Sequence, residues 1–142
     1  MLPKPETRNA KPGALEVLAP AGAADCLPAA VAGGADAVYL GLRHFNARGR
    51  AGNFRTAELY GHVAWLHERQ VKCYVVMNTL VHDDELDKAL GLAAHAHAAG
   101  VDALIVQDLG LWRVLRRALP RQELHASTQM TVHHPSQLAE LA

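Results

Sequence analysis

The sequence predicts an α/β fold in which strands and helices alternate: four βα units, a fifth strand and the opening of another helix. Three observations carry this expectation. Short apolar or β-branched runs recur along the 142 residues, segments of helical periodicity lie between them, and one glycine-led run is repeated. The strand candidates are Leu15 to Ala19, Asp36 to Leu40, Val71 to Met77, Asp102 to Val106 and Glu123 to Ser127. The helical stretches are Ala24 to Ala32, Thr56 to Arg69, Asp84 to Ala99, Leu109 to Ala118, and a start at Pro135.

Local chemistry marks the ends of these elements. Thr56 can cap the second helix, and Asp83, Asp84 and Glu85 place negative charge at the positive end of the third. Gly34 and Gly100 close the first and third helices, and each leads into a matching strand, Gly34-Ala-Asp-Ala-Val-Tyr-Leu40 and Gly100-Val-Asp-Ala-Leu-Ile-Val106. Parallel strands need crossover connections, so the alternation implies a parallel sheet covered by helices. Two architectures satisfy it: a five-stranded doubly wound sheet, which fits this length, or part of a TIM-like (β/α) barrel, which needs roughly 250 residues. Pattern alone favours the first. Against it, the fifth helix has only Pro135 to Ala142 and ends without a C-cap glycine or polar tail, as a truncated domain would.

Composition narrows the function classes. Half of the residues are apolar, enough for a substantial core. Lysine plus arginine equals aspartate plus glutamate at 14 each, so the overall charge gives no general attraction to nucleic acid or membrane. Two cysteines, Cys26 and Cys73, without C-x-x-C spacing, suit a reducing cytoplasm. Residues 1–13 are polar and proline-containing and lack the apolar region of a secretory signal; they are expected to be a flexible arm ahead of a domain spanning 14–142.

Six runs, in register, resemble the amino-terminal region of the U32 family of collagenase-like peptidases. They are Leu18-Ala-Pro-Ala-Gly22, Gly34 to Gly41, Ala51-Gly-Asn-Phe54, Asn78-Thr-Leu80 with His82-Asp-Asp-Glu-Leu86, Val106-Gln-Asp-Leu-Gly110, and Leu124-His-Ala-Ser-Thr-Gln129. The resemblance implies the partial TIM-like barrel, continuing beyond Ala142, over the doubly wound sheet. Its bacterial relatives resemble hydroxylases that modify RNA pyrimidines with prephenate, or ubiquinone precursors without oxygen, around a four-iron, four-sulfur cluster. The cluster's four cysteines would lie downstream; Cys26 and Cys73 do not match that motif, so no cofactor is expected on this chain alone. Prephenate and RNA are the partners the resemblance implies, and the ribosomal-RNA branch is the nearest in its motifs.

In a (β/α) barrel, chemistry gathers where the strands end. Residues there are Asn78 after the third strand, Gln107 and Asp108 after the fourth, and Ser127 and Gln129 after the fifth, with His125 inside it. These, with Arg48 and Asn53, which match the family-like segment of the second loop, are the candidate substrate-binding residues; His125 is the candidate acid or base. Asp108 has a plain alternative as a helix cap, and His125 as a hydrogen-bonded packing residue. The loop Gly41 to Arg55 carries Arg43, Arg48, Arg50 and Arg55 beside Phe45 and Phe54, with no acidic residue. Arginine forks grip phosphate or carboxylate and aromatic rings stack on bases, so this loop suits prephenate or RNA.

Other signatures are absent or incomplete. His95 and His97 are two apart on a helix, and His67-Glu-Arg-Gln-Val71 has valine where a zinc protease needs its second histidine. Ser127 and His125 share a strand face, but no Gly-x-Ser-x-Gly elbow is present. Three functions follow: an RNA hydroxylase when full length, a collagenase-like peptidase, or a non-catalytic binding domain. A half barrel leaves strand edges uncovered, so self-association or pairing with the missing half is expected.

Overall fold

The described residues form five strands, β1 (Leu18–Ala21), β2 (Ala37–Gly41), β3 (Lys72–Met77), β4 (Ala103–Val106) and β5 (Glu123–Ala126). They form one parallel sheet in the order β1-β2-β3-β4-β5. The helices are α1 (Cys26–Ala32), α2 (Leu59–His67), α3 (Leu86–Ala98), α4 (Leu109–Ala118) and α5 (Pro135–Leu141). This is a computed structural model that describes residues 15–47 and 52–141.

Alternate residues of each strand go to opposite faces, and the two faces differ in kind. On one, Val38 and Leu40, then Cys73, Val75 and Met77, then Leu104 and Val106 form a single buried cluster with residues of α1 to α4. α2 contributes Leu59, Val63 and Leu66, α3 contributes Ala89, Ala93 and Ala96, and α4 contributes Leu111, Trp112 and Leu115. On the other face Ala37, Tyr74 and Ala103 make a separate small cluster, flanked by Tyr39 and Ile105. Helices on one face and a strand order without reversal are consistent with part of a (β/α) barrel. A doubly wound sheet covers both faces and reverses its order at a switch point.

The repeated glycine-led run has a physical cause. After α1, Gly34 (φ 84°) turns the chain so that its N–H reaches Val31 O and Ala35 N–H reaches Ala30 O; after α3, Gly100 (φ 82°) does the same with His97 O and Ala96 O. The aspartate two residues later then locks onto the neighbouring strand. Asp36 donates its backbone N–H to Val17 O (2.9 Å) and accepts the Val17 N–H on its carboxylate (2.8 Å). Asp102 forms the same reciprocal pair with Cys73, at 2.9 and 2.7 Å. A third copy of the turn follows α2 without glycine: Gln70 holds φ 58°, its N–H on His67 O and the Val71 N–H on Leu66 O. The sequence shows two echoes where the backbone has three turns of one kind.

Several boundaries differ from expectation. The first strand starts at Leu18, not Leu15, because the Val17 backbone is already engaged with Asp36, while Leu15 and Val17 stay exposed. Thr56 does not cap α2: it opens a 3-10 turn, Thr56–Glu58, and neither the turn nor the helix has a side-chain cap. The acidic run does sit at the positive end of α3, as a 3-10 turn, Asp83–Glu85, with a capping box between His82 and Glu85. α4 runs over the expected residues, and α5 begins at Pro135, where Gln137 Oε1 accepts the N–H groups of His133 and His134. The arm expected at 1–13 lies outside the described residues. Among those described, no helix is long and apolar enough to cross a membrane.

Candidate functional site

Strand register builds the site on the face away from the helices. Pro20, Tyr39, Tyr74, Ala103 and Glu123 stand side by side in one row, and Gly41, Val76, Ile105 and His125 in the next. Above these rows, where the strands end, a cleft of about 490 Å³ is lined by Asn46, Asn53, Asn78, His125, Ser127 and Gln129, with Tyr39 and Ile105 at its base. Five of the sequence-derived candidates therefore meet in one place. The described lining has amides, hydroxyls and an imidazole but no lysine, arginine, aspartate or glutamate.

The amides also hold the cleft's wall. Asn78 Oδ1 accepts the Ala47 N–H at 3.0 Å, Asn46 Nδ2 donates to Asn53 Oδ1 at 2.7 Å, and Asn53 N–H binds Gly22 O at 3.0 Å. Asn53 adopts φ 45°, a left-handed conformation that asparagine tolerates better than most residues. A Cβ at Gly41 would lie 1.9 Å from Asn46 Nδ2, so any side chain there displaces the Asn46 amide. The loop after β2 is thus drawn over the strand ends by β1, β2 and β3 together.

The remaining candidates fall elsewhere. Gln107 lines a neighbouring groove of about 290 Å³, which Gln129 shares, with Leu80, Met130 and Val132. Asp108 is occupied structurally: its carboxylate caps α4 by accepting Leu111 N–H at 2.7 Å and reaches Val81 N–H at 3.4 Å. Arg48 and Arg50 lie outside the described residues. Arg55 is an exposed partner of Glu58 at 4.0 Å. Phe54, expected as a stacking ring, is instead 2% exposed in the core, edge-on to His62 at 5.1 Å; the Leu42–Phe54 bridge pulls it under the loop.

Ser127 and His125 point along one face without forming a catalytic pair in the described geometry. Ser127 Oγ accepts Gln129 N–H at 3.3 Å as the cap of a 3-10 turn, and His125 Nε2 lies 2.7 Å from Glu123 Oε1. Three further histidines have structural partners, whereas the buried His62 Nε2 has none among the described residues. His67 Nε2 meets Asp102 at 2.9 Å, His95 Nε2 meets Thr56 O at 3.0 Å, and His97 Nδ1 meets Gln122 Oε1 at 2.8 Å on another side of α3.

Sequence reading missed a charged group below the cleft. Glu16 accepts from Lys72 Nζ at 2.8 Å and from the Tyr74 hydroxyl at 2.6 Å, and the Tyr74 ring meets His125 edge-on at 4.9 Å. Burial acts to raise the Glu16 carboxyl, but its bonds from Lys72 and Tyr74 outweigh that and hold it below its ordinary value. The bond to Glu16 raises Lys72, and burial followed by the same carboxylate raises Tyr74. Period-two counting back from His125 finds Glu123; Glu16 and Tyr74 needed the register of the sheet.

The two cysteines do not fit an iron–sulfur cluster, which needs four thiolates. Cys73 faces the helix-packed core, where burial pushes its thiol up to about 12, and Cys26 opens α1 with its Sγ 3.7 Å from Asp25 Oδ1. Among the described residues no group of three or more His, Cys, Asp or Glu is placed to hold a metal ion.

Comparison with known proteins places the chain in a family. Residues 22–142 match the family model described as Peptidase family U32. The 23S rRNA 5-hydroxycytidine C2501 synthase of Escherichia coli is 45% identical over 120 residues, covering 83% of this chain and 18% of that protein. The collagenase of Porphyromonas gingivalis is 32% identical over 124 residues (87% and 30%), and tRNA hydroxylation protein P1 of Bacillus subtilis 36% over 120 (82% and 28%). The chain thus spans less than a third of the length of these relatives. No solved structure matches it significantly.

Proposed function

The chain belongs to peptidase family U32, and from that premise we propose that the full-length protein hydroxylates a pyrimidine base of RNA. This chain supplies the first half of a TIM-like barrel and one wall of the base-binding cleft. The carrying observation is the lining: amide and hydroxyl groups at the strand ends, without fixed charge among the described residues. Paired donors and acceptors of that kind suit the edge of a neutral heterocycle, and Tyr39 offers a ring to one of its faces. Similarity supports the same choice, being higher to the ribosomal-RNA synthase at 45% than to the collagenase at 32%.

In this reading the four-iron, four-sulfur cluster rests on cysteines outside these 142 residues, since those present do not fit it, and it supplies the electron-transfer chemistry. Prephenate, an anion, is held by arginines of the loop after β2, with Arg48 the first choice. The open edges of β1 and β5 pair with the rest of the polypeptide, or with a second copy when this chain stands alone. Cytoplasmic location follows from the RNA substrate.

The peptidase reading is favoured by the collagenase similarity and opposed by Ser127 and His125, whose described bonds go to Gln129 and Glu123. Mass spectrometry of RNA nucleosides from a deletion strain tests the choice. A pyrimidine nucleoside heavier by one oxygen should disappear, return with the wild-type gene, and stay depleted with Asn78→Ala or Gln129→Ala. An unchanged nucleoside profile, together with gelatin cleavage that is lost in Ser127→Ala and His125→Ala, would reverse the assignment.

A further inference from the structure

We propose that Glu123 is a positioning residue that fixes the imidazole of His125 with Nε2 as its donor, leaving the lone pair of Nδ1 as the cleft's acceptor or base. The two side chains are two apart on β5 and share the face away from the helices. Their contact is short, Nε2 to Oε1 at 2.7 Å, and an ionised carboxylate only accepts, so Nε2 carries the hydrogen. A neutral ring so held has its free electron pair on Nδ1.

The ring is held from a second direction. Tyr74 meets it edge-on at 4.9 Å with planes 82° apart, and Tyr74 is itself fixed by its hydroxyl bond to Glu16, which also binds Lys72. Glu123 and Tyr74 therefore both contact an imidazole that lines the cleft, and Glu16 with Lys72 braces Tyr74 from behind. A ring serving only to fill space needs no such tautomer choice; one that takes a proton from a bound ligand does. Naming base hydroxylation as the reaction served rests on the proposed function, whereas the tautomer does not.

Ring nitrogen-15 correlation spectra of the full chain, recorded above histidine's ordinary pKa of about 6.5, read the tautomer directly. His125 should be in the Nε2–H form in the wild type and shift to a mixture in Glu123→Ala. Glu123→Gln keeps an acceptor oxygen and should restore the wild-type pattern. The Glu123 side chain is 68% exposed, so its removal leaves the core intact. An unaltered tautomer in Glu123→Ala overturns the inference, whether or not RNA is the substrate. In the full-length enzyme, Glu123→Ala should lower kcat by roughly 10- to 100-fold with little change in KM, and Glu123→Gln should recover most of it. An equal loss in both variants, or one confined to KM, also overturns it.

Discussion

Leu104 and Ile105 are neighbours in β4, yet they serve different halves of the molecule. Leu104 has no exposed surface and sits in the cluster that joins the sheet to its helices; Ile105 is half-buried beside Val76 and His125 at the base of the cleft. Every strand repeats that division. One face is apolar and sealed by α1 to α4, while the other mixes Tyr39, Tyr74 and Ile105 with Lys72, Glu123 and His125. The same backbone therefore carries stability on one set of alternate residues and chemistry on the other.

The comparison breaks if the two faces respond alike to truncation. Leu104→Ala should cost about 2–5 kcal/mol, because it opens a cavity in packing that cannot relax. Ile105→Ala removes apolar surface that is already partly wet and should cost about 1 kcal/mol. Urea unfolding followed by circular dichroism measures both; equal losses would mean that the far face is as closely packed as the near one.

A rim substitution should fall between these values. Gly41→Ala places a methyl group against the Asn46 amide, so the loop must lift or the Asn46–Asn53 bond must break. The expected loss is about 1–3 kcal/mol, as for other overpacked sites, with ligand binding in the cleft weakened alongside. Wild-type affinity in Gly41→Ala would show that the loop does not shape the cleft.

Much of this division was legible in the sequence, for reasons that can be stated. Helix periodicity and apolar runs depend on residues close together in the chain, so β2 to β5 and α4 fell within two residues of their expected bounds. Asn78, His125, Ser127 and Gln129 line one cleft because strand ends converge in this topology, and Asn53, chosen for its match to the family-like segment, lines it with them. Contacts set by register were not legible. Phe54 looked like a loop aromatic until its bridge to Leu42 placed it in the core, and Asp108 needed its bonds to Leu111 and Val81 to separate cap from ligand. Glu16 and Tyr74 are 58 residues apart, a distance no local pattern spans.

That long-range contact gives a smaller effect than the core does. Tyr74→Phe keeps the ring against His125 and loses only the hydroxyl bond to Glu16, for about 1 kcal/mol. A larger loss would mean that the hydroxyl also supports the ring's packing.

The smallest expected effect is a pH dependence, and its sign follows from the two shifts. Glu16 is held below its ordinary value in the folded state, so its contribution is present above the unfolded pKa and is lost as pH falls through the folded one. Lys72 is raised, so its share is present below the unfolded pKa and is lost only as pH rises through the folded one, on the alkaline side. The pair is therefore intact at neutral pH and weakens first in acid. Both side chains are partly solvated, at 32% and 50% exposed, so screening limits the effect to about 1 kcal/mol or less. Urea midpoints taken from about pH 7 down to about pH 3 should fall less steeply in Glu16→Gln than in the wild type. Parallel slopes would show that the carboxylate beneath the cleft contributes nothing to folding, and that the face away from the helices holds its charges for reasons other than stability.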